Sequence, residues 1–380
     1  MKNKQKKNMH ILVLGNGFDV AHKLETRYKE FLDFCRTVDL EKSSYANEYI
    51  KCRDNNLWMK HFINKQNFLK ENWIDLEEEI FNVIKAISSK QISLIKTPSP
   101  RMLTVQKGDA NFDLQKIELR KPDFNEICEK EGYTPPNRKY ITTYYIENIT
   151  DLATLLYKQL RQFTKCFESY LINEILAKID NNSKYRLSLQ DIGVEEGCKD
   201  VFILSFNYTD TCERLYKEKF NTYCHIEKFT PIYVHGKVNN QERSCNLVLG
   251  TQSFDSDLQD ISKKIPIDFY KFQKHNQRHK YCTIESYQTL LKELKNTDNI
   301  EPVFHVIGHS LDITDRKILR HIFLANENSI INVYYHDDEA QERLINNITQ
   351  IIDEENVMER VRLIDQHDEI HGILKEKGNN

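Results

Sequence analysis

The stretch "ILVLGNGFDVAHKL", beginning at Ile11, sets Gly15, Asn16 and Gly17 between an apolar run and a helical pattern, with Asp19 two residues further on. Glycines at such a turn let a phosphate approach bare backbone N–H groups at the start of a helix. The same spacing also suits a purely structural strand-to-helix turn. A full dinucleotide fingerprint asks for a third glycine where Val20 stands, and for a second strand ending in an acidic residue about 20 residues later. The segment "FLDFCRTVDL" reads there as helix, so a nicotinamide dehydrogenase is disfavoured.

Four later apolar runs also end in residues that can contact a ligand. Asn207 follows one in "ILSFNYTD", His235 and Gly236 follow another in "IYVHG", and Gly250 follows a third in "VLGTQ". Gly308, His309, Ser310 and Asp312 follow the fourth in "VIGHSLDITDRKIL". Open parallel sheets hold ligands in the crevice at the carboxyl ends of their strands. Singly, each residue has an ordinary reading: Asn207 as a helix cap, His235 as a hydrogen-bonded core histidine, Asp312 or Thr314 as the cap of the next helix. Jointly they favour a site.

The elements that must position them are legible from the apolar runs. Ile11–Leu14, Val201–Phe206, Pro231–Val234, Leu247–Leu249, Val303–Ile307 and Ile330–Tyr335 mostly lack polar alternation. That suits strands buried on both faces of a parallel sheet with helices on each side. Between the first two runs, segments such as "NWIDLEEEIFNVIKAISS" and "ITDLATLLYKQLRQFTKCFESYLINEILAKI" carry apolar residues at helical spacing. From Lys96 to about Tyr140 this pattern weakens and five prolines gather (Pro98, Pro100, Pro122, Pro135, Pro136). The expected architecture is an α/β, Rossmann-like parallel sheet built from residues 1–40 and 198–380, with a mainly helical insertion over 41–197 that is irregular at about 95–145.

Bulk properties narrow the partners. A net charge of −3 gives no global electrostatic argument for nucleic acid or acidic lipid, so any basic feature must be local. No apolar run approaches the ~20 residues of a membrane helix, and the apolar run behind the lysine-rich start is too short for a signal peptide. The nine cysteines are odd in number and never spaced CxxC, so neither a disulfide framework nor a zinc ribbon fits. A cytoplasmic protein without a metal site is expected.

Taken together, the motifs resemble two nested families. GxG(F)D near the start, F-N-Y after a middle strand, V-H-G after the next and I-G-H-S-x-x-x-x-D near the end look like the sirtuin-like NAD-binding fold, in its NAD-hydrolysing, antiphage branch. More narrowly, "LVLGNGFDVAHKLETRYKEFL", "NWIDLEE", "SFNYTDTCERLY", "YVHGKVN", "LVLGT" and "VIGHSLDITDRKIL" resemble the bacteriophage abortive-infection AbiH family. The resemblance implies Asn207 and His235 as a catalytic pair, Gly15, Asn16, Gly17 and Asp19 as a phosphate-binding loop, and Gly308 with Ser310 near the adenosine half of NAD. It implies an abortive-infection effector. Two departures stand out. The zinc module of sirtuin deacetylases is absent, which disfavours deacetylation, and Thr209 holds the place where relatives often carry the aspartate of N-Y-D.

Cleavage of the nicotinamide–ribose bond passes through an oxocarbenium-like state. An imidazole such as that of His235 can take a proton at neutral pH, the amide of Asn207 can hold a ribose hydroxyl or water, and Asp19 or Asp312 can stabilise the developing cation. The alternatives are a module that holds NAD or ADP-ribose as a signal for a partner, and a nuclease. The insertion is the expected sensor of a phage-encoded trigger, or an oligomerisation element. The basic window Lys263–Cys282 reads as a solvated helix face, a lid over phosphates or a nucleic-acid contact. The acidic patch of Asp75 and Glu77–Glu79 reads as a solvated face or, less simply, as part of the cleft, with Trp73 as a core anchor.

Overall fold

The run "ILVL" extends upstream into strand β1 (Lys7–Leu14). Its side chains alternate between two apolar clusters: Ile11 and Val13 enter one, Leu12 and Leu14 the other. A period of two with both faces apolar is what a central strand requires. The computed structural model describes residues 7–38, 46–69, 75–88, 92–96, 102–107, 119–120, 149–179, 185–226, 229–239, 245–252, 254, 265–281, 283–295, 300–366 and 374–376. Trp73 and most of the stretch read as irregular lie outside them.

Strands are numbered in chain order. Ile92–Lys96 (β2), Met102–Lys107 (β3) and Leu119–Arg120 (β4) pair antiparallel in a small sheet. Tyr185–Leu187 (β5) pairs antiparallel with Leu374–Glu376 (β11). Val201–Ser205 (β6), Ile232–Tyr233 (β7), Ile300–Ile307 (β8), Ile330–Tyr335 (β9) and Val361–Asp365 (β10) join β1 in a six-stranded sheet of order β10-β9-β8-β1-β6-β7. Every pairing in that sheet is parallel. Helices Ile284–Lys295, Arg316–Phe323 and Asp338–Ile352 contribute to the cluster on one face, helix Thr211–Tyr223 to that on the other. The fold is therefore a Rossmann-like α/β sheet covered on both faces. The chain builds outward from β1 through β6 and β7, then returns to build β8, β9 and β10 on the other side. The order reverses between β1 and β8, which is where such sheets open a crevice.

Two local findings differ from the sequence reading. Leu247–Leu249 forms no strand: the Gln277 amide takes the neighbour's place, accepting from the Leu249 N–H at 3.2 Å and donating to its carbonyl at 2.8 Å. Strand β10 went unread because its apolar residues are interrupted by Arg362 and only partly buried, as at a sheet edge. One polar line crosses the sheet. His10 Nδ1 lies 3.0 Å from His305 Nε2, and His305 Nδ1 lies 3.1 Å from the Tyr334 hydroxyl, all three side chains being buried.

The chain divides into two compact units. The sheet belongs to the one formed by Met1–Arg27, Glu168–Gln252 and Gln277–Asn380; Tyr28–Phe167 and Ser253–Asn276 form the other. In the second unit Leu152, Ala153, Leu156, Leu160, Phe163 and Phe167 recur at helical spacing and are buried. Trp58 donates its indole N–H to the Leu156 carbonyl at 2.8 Å and stacks on Phe62. Asp75 starts helix Leu76–Ser88 by accepting the Glu77 and Glu78 N–H groups. Glu78 is exposed, but Glu77 and Glu79 are buried, held by Lys274 and by His61 with Lys65. The solvated-face reading therefore fails for Glu77 and Glu79, and also for Lys274, which is buried. Among the described residues no helix is long and apolar enough to cross a membrane.

Candidate active site at the carboxyl edge of the sheet

The loops that leave β1 and β8 lie against each other. Gly15 donates its N–H to the Ile307 carbonyl at 3.1 Å, Gly17 to the Gly308 carbonyl at 2.8 Å, and Phe18 to Gly15 at 2.9 Å. A methyl group on Gly15 would stand 2.4 Å from His309 Cα, and one on Gly17 would stand 2.8 Å from Gly308 Cα. Gly308 itself has φ +64, and a methyl there would meet the Phe18 nitrogen at 2.3 Å. The glycines are thus required by each other's backbone. Two of the N–H groups expected to face a phosphate are spent on protein carbonyls. Asn16, exposed beside them, accepts the Thr26 hydroxyl at 2.6 Å. Helix Asn16–Ala21 is tied down by His22, which donates from Nδ1 to the Phe18 carbonyl at 2.7 Å and accepts the Tyr216 hydroxyl at Nε2, 2.6 Å away.

Asp19, on that short helix, is 1% exposed. Its Oδ2 accepts the Thr209 hydroxyl, which lies 3.0 Å from the Thr211 hydroxyl. Burial pushes the Asp19 carboxyl up to about 7, although hydrogen bonds from Thr209, Thr211 and Asn207 oppose the rise. Asn207, just past β6, is buried and takes its backbone N–H to the Ser205 hydroxyl at 3.2 Å. It does not cap the next helix, whose N-cap is Asp210. Asp19 Oδ1 and Asn207 Oδ1 are buried without a hydrogen-bond partner among the described residues.

His235 follows β7 and is 4% exposed. Its Nε2 lies 3.2 Å from Asp315 Oδ2, and its Nδ1 lies 3.4 Å from Nη2 of Arg278. That same Nη2 donates to Asp315 Oδ1 at 2.7 Å. A guanidinium has no acceptor and an ionised carboxylate no donor, so the ring donates from Nε2 and accepts at Nδ1. The Phe206 ring packs edge-on against both His235 and His309, joining the ends of β6, β7 and β8.

The other candidates divide. Gly236, at φ +80, is pressed against the Asn246 carbonyl, where a methyl would come within 2.5 Å. Gly250 is buried beside the Gln277 contact. His309 accepts the Leu311 N–H at Nδ1, 2.8 Å away. Ser310 is exposed and offers its carbonyl to Asn347, while Asp312 caps the turn Ile313–Asp315 through Thr314. Asp312 thereby makes the kind of capping contact that its ordinary reading assigns it.

Four residues of the cluster were not singled out as ligands: Thr209, Thr211, Arg278 and Asp315. The motif I-G-H-S-x-x-x-x-D ends on Asp315, so the aspartate that reaches His235 is present in the pattern, three residues after Asp312. Arg278 stood inside the basic window and is buried rather than solvated. A protein-family model described as "Bacteriophage abortive infection AbiH" matches residues 11–336, which spans every residue of this site. None of the curated proteins matches the chain.

Proposed function

The chain belongs to the bacteriophage abortive infection AbiH family, and from that premise we propose that it is an antiphage effector that binds NAD at the carboxyl edge of its sheet and hydrolyses the nicotinamide–ribose bond when infection is sensed. The observation that carries this reading is the pair of buried, unpartnered oxygens, Asp19 Oδ1 and Asn207 Oδ1. A buried acceptor without a donor costs about 1–3 kcal/mol, and the hydroxyls of a ribose are donors that can satisfy both. The resemblance to sirtuin-like NADases supports the same ligand.

When bound, NAD supplies a glycosidic bond whose cleavage builds positive charge on the sugar. Asp19, with a carboxyl near 7, is partly ionised at neutral pH and can stabilise that charge. Asn207 holds a hydroxyl or the attacking water. His235 takes the proton at Nδ1 once the Arg278 contact lengthens, while Asp315 holds the ring through Nε2.

The burial of His235, with both ring nitrogens engaged, favours a second reading: a module that holds NAD or ADP-ribose as a signal and acts through a partner. One experiment separates them. The purified protein is incubated with NAD, with and without phage lysate, and nicotinamide release is followed beside calorimetric NAD binding. Release after the trigger supports the hydrolase. Binding without release under any condition selects the module, and absence of both overturns the ligand.

A further inference from the structure

We propose that Arg278 and Asp315 are positioning residues that decide when His235 can take a proton. The proposal rests on the reading of His235 as the proton acceptor of the site. The three side chains come from distant parts of the chain, and each touches the other two at 2.7, 3.2 and 3.4 Å. All are more than nine-tenths buried. Asp315 fixes the hydrogen on Nε2, and Arg278 covers the lone pair on Nδ1. The base is thereby assembled and masked by the same ion pair.

The unmasking step follows from Arg278. Its Nε is buried and has no hydrogen-bond partner among the described residues. A ligand oxygen that reaches this N–H draws the guanidinium from Nδ1 while Asp315 keeps its hold on the ring. Low activity without ligand, and a base exposed only with it, then need no movement of a domain.

The charges make the proposal testable. Removing Arg278 leaves the Asp315 carboxylate unopposed beside the ring and favours the imidazolium; removing Asp315 leaves the guanidinium unopposed and favours the neutral ring. Also facing His235 among the described residues are the Phe206 ring, the Tyr208 ring, whose hydroxyl donates to the Val248 carbonyl, and beyond Phe206 the imidazole of His309. None of them supplies opposite shifts in the two variants.

Proton uptake by His235 is read by NMR of the full chain labelled with ¹⁵N-histidine, the signal being assigned with His235→Gln. The wild-type spectrum is expected to show a neutral ring carrying its hydrogen on Nε2; an Nδ1–H ring overturns the proposal without any further variant. The uptake midpoint is expected to rise by about one pH unit or more in Arg278→Gln and to fall by a similar amount in Asp315→Asn. Shifts of the same sign, or none, overturn it. Should either variant fail to fold, Arg278→Lys keeps the charge and is expected to hold the midpoint within half a unit of wild type, where a larger shift overturns the proposal. None of these readouts needs turnover, so inactivity toward NAD would remove the hydrolase reading and leave this test standing.

Discussion

Gly17 gives its backbone N–H to the carbonyl of Gly308 at 2.8 Å, and neither residue has room for a Cβ against the other. The turn between β1 and the first helix is therefore shaped by the loop after β8. Gly17→Ala is expected to cost about 1–3 kcal/mol by overpacking, and Gly308→Ala more, because its φ of +64 adds backbone strain. The double variant should cost less than the sum, since one contact is lost twice. Chemical denaturation measures all three. NAD affinity of folded Gly17→Ala should stay near wild type; a tenfold loss, about 1.4 kcal/mol, would show instead that the loop carries the pyrophosphate.

Asp19 makes stability depend on pH in an unusual direction. Its carboxyl lies near 7 in the fold against an ordinary 3.8. Between those values the unfolded chain has released its proton while the folded chain keeps it, so stability falls as pH rises, at about 1.4 kcal/mol per unit at most. Above pH 7 the penalty is complete. Asp19→Asn removes it, and the amide oxygen can still accept the Thr209 hydroxyl. The variant is expected to be more stable than wild type at pH 8 and to lose the advantage by pH 4, as read from urea midpoints. Equal midpoints at pH 8 would mean that Asp19 ionises without hindrance.

The parts of this architecture that were legible are those written locally. Mainly apolar runs marked β1, β6, β8 and β9, because a strand buried on both faces has little place for polar alternation. Leu247–Leu249 looked the same, yet the backbone partner of Leu249 is the side chain of Gln277, which no periodicity announces. The spacing of Gly15 and Gly17 was plain, while the surface that approaches them, Gly308, lies almost three hundred residues away. Charge was the least legible property. Glu77, Glu79, Lys274 and Arg278 sit in charged windows that suggested solvent, and only distant partners explain their burial. Asp19 and Thr209 meet for the same reason.

Asn207→Ala separates the two functional readings from a structural role. The Asn207 amide oxygen has no partner among the described residues, so its removal strands no protein donor there, although one hydrogen bond to Asp19 is lost. A stability cost near ~1 kcal/mol is expected. If the oxygen serves a ribose hydroxyl, NAD affinity should fall at least tenfold and phage protection should disappear at normal expression. A variant that protects like wild type would remove Asn207 from the site.

His235→Ala is expected to abolish phage protection while the protein stays folded. The Arg278–Asp315 pair at 2.7 Å survives the substitution, so no buried charge is left alone. Truncating a buried ring should still cost on the order of 2 kcal/mol. Protection at wild-type level, with normal expression, would sink the catalytic assignment and leave His235 as a core histidine.

The line His10–His305–Tyr334 gives the opposite pH dependence to Asp19. Burial holds the His305 imidazole down at about 3, with His10 adding to the effect, and burial lowers His10 too. Below the ordinary histidine value near 6.5 the unfolded chain takes up protons that the folded chain refuses, so stability falls on acidification from about pH 6.5 toward 3. Over much of that range Asp19 acts the other way, and the two contributions offset each other in the wild type. A flat profile there is consequently uninformative. In an Asp19→Asn background that offset is gone, and adding His305→Gln, whose amide can both donate and accept, should flatten the remaining slope by up to one proton, about 1.4 kcal/mol per unit. Urea midpoints from pH 7 to 4 in the single and double variants decide the matter: an unchanged slope on adding His305→Gln would mean that the buried imidazole pair does not set the acid limit of this fold.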